Sequence, residues 1–342
     1  MNVLRRFFSV FVIIIITLVL CEAGLRLFRI DLARPLVGAG HRTVEIGPFL
    51  PHPTRFWSLT PLHKRTEANA QGFRGPDISL KKPPNVYRIF CLGNSCTYGT
   101  GCYYSQTYPA RLQELLDAAF GEDMIEVINA GVPGYSTLQE LRYLQEDLRR
   151  YDPDMLIVQF GENDQEGGNN RHEFPAQSLR KLLSQSRLMQ TGYNLFYGIK
   201  KYCYTNFDKY HERIALDSYG DCLENLTAID RFARENGIRA YYITPTWFVR
   251  GRLIRKDHYL KDPRIDLYSV FKASGMDPSS LYLDSHHWLP PGHLLVASAI
   301  CRTVSPAILA DMKNRSAFDL NVNSGGIGPA FCPGPGVSVP EK

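Results

Sequence analysis

The chain opens on an apolar run from Phe7 to Cys21, which continues to Leu25 with Glu22 as its only charge. That length is close to the lower limit for a helix that crosses a bilayer. No small-x-small cleavage site stands after it. The pattern predicts an uncleaved N-terminal transmembrane helix, a signal-anchor over residues 1–30. A span this close to the N-terminus is expected to export the rest of the chain, although Arg5 and Arg6 before the run are balanced by Arg26, Arg29 and Arg34 after it. Residues 31–85 carry Pro, His and Arg with little periodicity, and read as a linker and edge-packing segment.

From Val86 the pattern changes. "VYRIFCLG", "MIEVINAG", "DMLIVQFG" and "IRAYYITPTW" read as strands, and "LYLD" as a short fifth. Between them stand runs with apolar residues at helical spacing, such as "TYPARLQELLDAAFG" and "STLQELRYLQEDLRRY". A closing helix begins at "PPGHLLVASAICRTV", with Pro306 as a candidate kink. Strands alternating with helices predict a parallel sheet of about five strands with helices on both faces. The main domain is expected over 86–315, with a helical insertion at about 165–220 and a flexible tail over 316–342. Arg171, His172 and Arg213 in the insertion read as solvated surface.

Bulk numbers narrow the class. Of 342 residues, 44% are hydrophobic, enough for a substantial core, and the net charge is +5 without a basic arm or zinc-finger spacing. No nucleic-acid partner is expected. The eight cysteines form no CxxC or metal-type array. Cys91 and Cys301 read as small buried hydrophobes. Cys102, Cys203, Cys222 and Cys332 could form one or two disulfides in an oxidising compartment.

Candidate chemistry gathers at the strand ends: "GNSCT" at 93–97, "NAGVPG" at 129–134, "GEND" at 161–164 and "DSHHWLPPGH" at 284–293. In a parallel sheet these ends share one edge, where ligands bind. Acyl transfer needs a nucleophile, a base, a group that orients the base, and donors for the oxyanion. Ser95 can be the nucleophile, a histidine of the last stretch the base, and Asp284 the orienting carboxylate. Gly134 offers an unobstructed backbone N–H, and Asn163 a neutral amide donor. Cys96 is a rival nucleophile, but no second His/Asn set accompanies it.

These four stretches, in this order over roughly residues 86–310, resemble the SGNH (GDSL-type) hydrolases, a family of serine esterases and acylhydrolases. The resemblance implies a three-layer α/β/α, flavodoxin-like fold. It implies Ser95 as nucleophile, and Asp284 and His287 as the Asp-x-x-His pair. The N–H groups of Ser95 and Gly134 and the side chain of Asn163 become the oxyanion hole. His286 and His293 then fall outside the chemistry, and Asp164 serves the loop. The family usually has Asp before the serine; this chain has Asn94, similar in shape but uncharged. The expected function is serine-dependent hydrolysis of carboxylic esters on a small molecule, lipid or glycan, with no metal or organic cofactor. An O-acyltransferase acting on surface glycan and a non-catalytic glycan- or lipid-binding pseudo-hydrolase are the alternatives.

Overall fold

The computed structural model describes residues 2–27, 48–52, 54–161, 163–164, 188, 208–255 and 262–315. The chain divides into two compact units, Met1–Thr66 with Arg171–Arg213, and Glu67–Asn170 with Ile214–Lys342. The tail 316–342 and the insertion lie outside the described residues, except for Leu188 and the start of a helix at Asp208.

In the first unit, helix α1 (Asn2–Leu27) is continuous. Its stretch Phe8–Leu27 has a mean hydropathy of 2.6 and buries none of its length in protein. By length and composition it can cross a membrane. Glu22 does not stand alone in it: the carboxylate accepts from Arg26 one turn on at 2.7 Å and from the backbone N–H of Leu188 at 2.9 Å. Strands β1 (Phe49–His52) and β2 (Phe56–Leu59) form an antiparallel hairpin.

The second unit is built on strands β3 (Tyr87–Gly93), β4 (Ile125–Gly131), β5 (Met155–Gln159), β6 (Arg239–Thr244) and β9 (Arg264–Asp266). All pairings are parallel, in the order β4-β3-β5-β6-β9. Every residue of β3 and β5 is buried, as strands covered on both faces require. Tyr87, Ile89 and Cys91 join a core with Leu112 and Leu116 of α3 (Tyr108–Phe120), Phe271 of α6 (Leu267–Ala273), and Ile300 and Val304 of α7 (Pro290–Asn314). On the opposite face Phe90 meets Phe73 and Tyr151, and Tyr242 bonds Asp230 of α5 (Asp208–Glu235). The expected three-layer parallel architecture is present. Helix α7 also has the length and hydropathy of a span, but its apolar window is 61% buried, and it is a core helix. Pro306 sits inside it without dividing it.

Three details differ from the sequence reading. The fifth strand is β9, not "LYLD". Leu281 and Tyr282 are buried, Tyr282 against the rings of Phe248 and Phe271, and Tyr282 forms an isolated antiparallel bridge to Trp288. "YYITPTW" is two strands: β6 ends before Pro245, and β7 (Thr246–Val249) turns back as a hairpin with β8 (Arg252–Arg255). Cys301, read as a plain hydrophobe, is disulfide-bonded, whereas Cys102 and Cys222 are thiols.

Candidate active site

Chain order places β4 on one side of β3 and β5 on the other, so a crevice opens beyond the carboxyl ends of β3 and β5. Ser95 sits at that point, as the first residue of α2 (Ser95–Tyr98). A helix of four residues cannot hold itself. Its start is fixed by Asn94, whose side-chain oxygen accepts the Cys96 N–H at 2.9 Å. An aspartate would make the same bond, so the uncharged residue keeps the capping geometry. Its end is fixed from two sides. Asn129 Nδ2 donates to Thr97 O at 3.0 Å, and Arg74 donates to Gly99 O at 3.0 Å and Cys102 O at 2.6 Å. Glu67 holds Arg74 at 2.8 Å and accepts the Tyr104 N–H. Gly131 is required beside this helix, because a Cβ there would lie 2.2 Å from Tyr98 N.

The loop 284–287 brings the second set of groups. His287 Nε2 lies 2.8 Å from Ser95 Oγ, although 192 positions separate them. Its Nδ1 lies 2.6 Å from Asp284 Oδ2. The other oxygen of Asp284 accepts the N–H groups of His286 and His287 at 3.0 and 2.9 Å. Partial burial works to raise the Asp284 pKa. The two backbone donors and the His287 ring outweigh it and hold the carboxyl at about 2. The carboxylate is therefore charged throughout the neutral range.

Gly134 lies beyond β4 at φ +82°, a left-handed conformation natural to glycine. Asn163 Nδ2 donates to Tyr135 O at 2.8 Å, which orients an amide with a second N–H to offer. Asp164 is buried and accepts from Thr137 Oγ1 at 2.6 Å, tying this loop to the start of α4 (Thr137–Glu146). Cys96 is 1% exposed, and its thiol reaches His286 O at 3.4 Å, away from the role of rival nucleophile. His286 packs against His287, with ring centroids 4.2 Å apart. His293 is buried in the core. Asp284, His286 and His287 offer ligand atoms within 4.8 Å of one another, but two of the three already belong to the Ser95 relay.

The arrangement can pass a proton from a serine hydroxyl to an imidazole backed by an ionised carboxylate. Sequence reasoning missed Arg74, in a stretch read as linker, and gave no role to Asn129, which opens the stretch "NAGVPG" inside an apolar strand. A polar side chain in a strand buried on both faces was the available signal for Asn129. For Arg74 it was the charge beside Phe73 in the glycine-flanked turn "GFRG".

Among solved structures, the chain is similar to an acetylxylan esterase from Geobacillus stearothermophilus, at 15% identity and a TM-score of 0.41, over 65% of this chain and 96% of that one. It is also similar to LAE5, an α/β hydrolase enzyme from the metagenome of Lake Arreo, Spain, at 16% identity and a TM-score of 0.39, over 63% and 93%. No curated protein matches the chain. The sequence model of the GDSL-like lipase/acylhydrolase family matches residues 91–295, which is more than half of the chain and includes all four strand-end stretches. This ester-hydrolysing enzyme belongs to the GDSL-like lipase/acylhydrolase family.

Proposed function

We propose that the protein hydrolyses carboxylic esters through Ser95, His287 and Asp284. Ser95 Oγ attacks the ester carbonyl while His287 Nε2 takes its proton. The tetrahedral intermediate collapses, the C–O bond to the alcohol breaks, and His287 returns the proton to the leaving oxygen. Water then attacks the acyl-Ser95 ester, giving its proton to His287; the second tetrahedral intermediate collapses, the acyl C–O bond to Ser95 breaks, and His287 returns the proton to Ser95 Oγ as the carboxylic acid leaves. Asp284 stabilises the imidazolium in both halves. The N–H groups of Ser95 and Gly134 and the amide of Asn163 serve the oxyanion. Substrates of this reading are ester-bearing small molecules, lipids or glycans.

The observation that carries the reading is the hydrogen-bonded relay from Ser95 Oγ through His287 to Asp284. Its test is reaction with a fluorophosphonate probe, alongside hydrolysis of a chromogenic acetyl ester. The wild-type chain should label and turn over, and Ser95→Ala should do neither. A folded wild-type protein that resists the probe would overturn the mechanism.

We also propose that α1 anchors the chain in a membrane, with the catalytic unit on the extracytoplasmic side. The exposed apolar surface of α1 supports the anchor, and the disulfide at Cys301 supports an oxidising compartment.

A further inference from the structure

The β7–β8 hairpin leaves the sheet edge where Ser95 and His287 meet, and is fastened to the histidine loop. Phe248 N donates to Ser285 O at 2.8 Å, and the Tyr282 hydroxyl donates to Thr246 O at 3.0 Å. Cross-strand partners share a face, and faces alternate along each strand. Phe248 pairs with Leu253, and both pack on the core. The opposite face therefore carries Trp247 with Ile254, and Val249 with Arg252. Trp247 lies 5.8 Å from the His286 ring, which in turn packs against His287.

The hairpin carries three arginines in different situations. Arg255 is paired with Asp266. Arg250 and Arg252 are exposed, and neither side chain has a hydrogen bond or ion pair among the described residues. Arg250 and Gly251 form the two-residue tip at φ +51° and +76°. Asn or Gly suits the first of these positions, and a long cation there is strained.

His287 protonates the leaving oxygen in the mechanism above, so the alcohol departs on its side of the site. We infer that the outward face of this hairpin binds the alcohol portion of the ester, and that this portion is an acidic sugar residue. The partly exposed ring of Trp247 and the exposed side chain of Ile254 beside it supply apolar surface for a sugar ring, and Arg252 and Arg250 supply charge for a carboxylate. The inference rests on the ester-hydrolase reading for its direction. The favoured substrate is then an acylated acidic glycan.

The test compares acetylated polygalacturonate with acetylated xylan of equal acetyl content, using the full-length chain in detergent. The expected kcat/KM ratio favours the acidic glycan by roughly tenfold at low ionic strength and declines with salt. In the double variant Arg250→Ser, Arg252→Ser that ratio should collapse towards one. Equal turnover of both glycans by the wild type, or an equal fall on both in the variant, overturns the inference. So does arginine-dependent turnover of lysophosphatidylglycerol in place of the acidic glycan, since the anion is then a lipid headgroup. A binding measurement separates this inference from the hydrolytic mechanism. Ser95→Ala protein titrated calorimetrically should bind oligogalacturonate more tightly than xylo-oligosaccharide, through the same arginines. Absence of that preference overturns the inference whether or not the wild type turns over esters.

Discussion

His293 is a titratable ring with no exposed surface. Its Nδ1 accepts the Tyr108 N–H at 3.1 Å, which leaves the proton on Nε2. Burial, with Arg74 and His287 nearby, pushes its pKa down to about 3. A histidine held neutral in the fold binds a proton more readily when unfolded. Its contribution to stability is complete above the unfolded pKa of about 6.5 and is lost progressively as pH falls towards 3. The loss is on the order of 4 kcal/mol over that window. Urea denaturation at pH 7 and pH 4 checks this. His293→Gln keeps an acceptor for Tyr108 but cannot titrate, so its stability should fall much less between the two. At this scale the candidate site was largely legible: Ser95 lies in one short motif, Asp284 and His287 stand three apart in another, and the structure brings the three within hydrogen-bonding distance. Cys301 is buried in the core as its residue type and helical setting suggested, but nothing in the sequence marked its disulfide.

At the scale of elements, helix α2 is the part on which geometry turns. Four residues contribute little helix stability of their own, so both ends depend on neighbours. Arg74 binds the carbonyl end from a turn that precedes the first sheet strand. Arg74→Met removes these donors and strands Glu67, and should destabilise the unit by about 3 kcal/mol. Displacement of Ser95 should also lower kcat by up to roughly 10²-fold, with KM little changed. Arg74→Lys restores the charge but not the fork, and should recover the activity only in part. Denaturation curves and steady-state kinetics on a chromogenic ester read both effects. Strands β3 and β5 were legible because burial on both faces leaves near-continuous apolar runs. The three residues of β9, behind Pro263, are too few for a period, and "LYLD" imitated a strand by being buried for another reason. Register across long sequence separations is a tertiary property, and Arg74 was hidden by it.

At the scale of the whole molecule, the extracytoplasmic placement proposed above has a direct test. Added protease should digest the catalytic unit on intact cells or spheroplasts while a cytoplasmic marker survives. Complete protection would reverse the proposed orientation. Mass spectrometry of the same material should show the Cys301 peptide released only on reduction. Length and hydropathy do not register burial, so Phe8–Leu27 and Pro290–Asn314 pass the same test for a membrane span, and only packing separates them.

Both strands of the hairpin closed at Arg250 and Gly251 stand outside the five-stranded sheet, and its inner face rests on the core through Phe248 and Leu253. It is thus an add-on to the sheet: a replacement of equal length that keeps Phe248, Leu253 and the backbone bonds to Ser285 and Tyr282 should retune which alcohols the proposed site accepts.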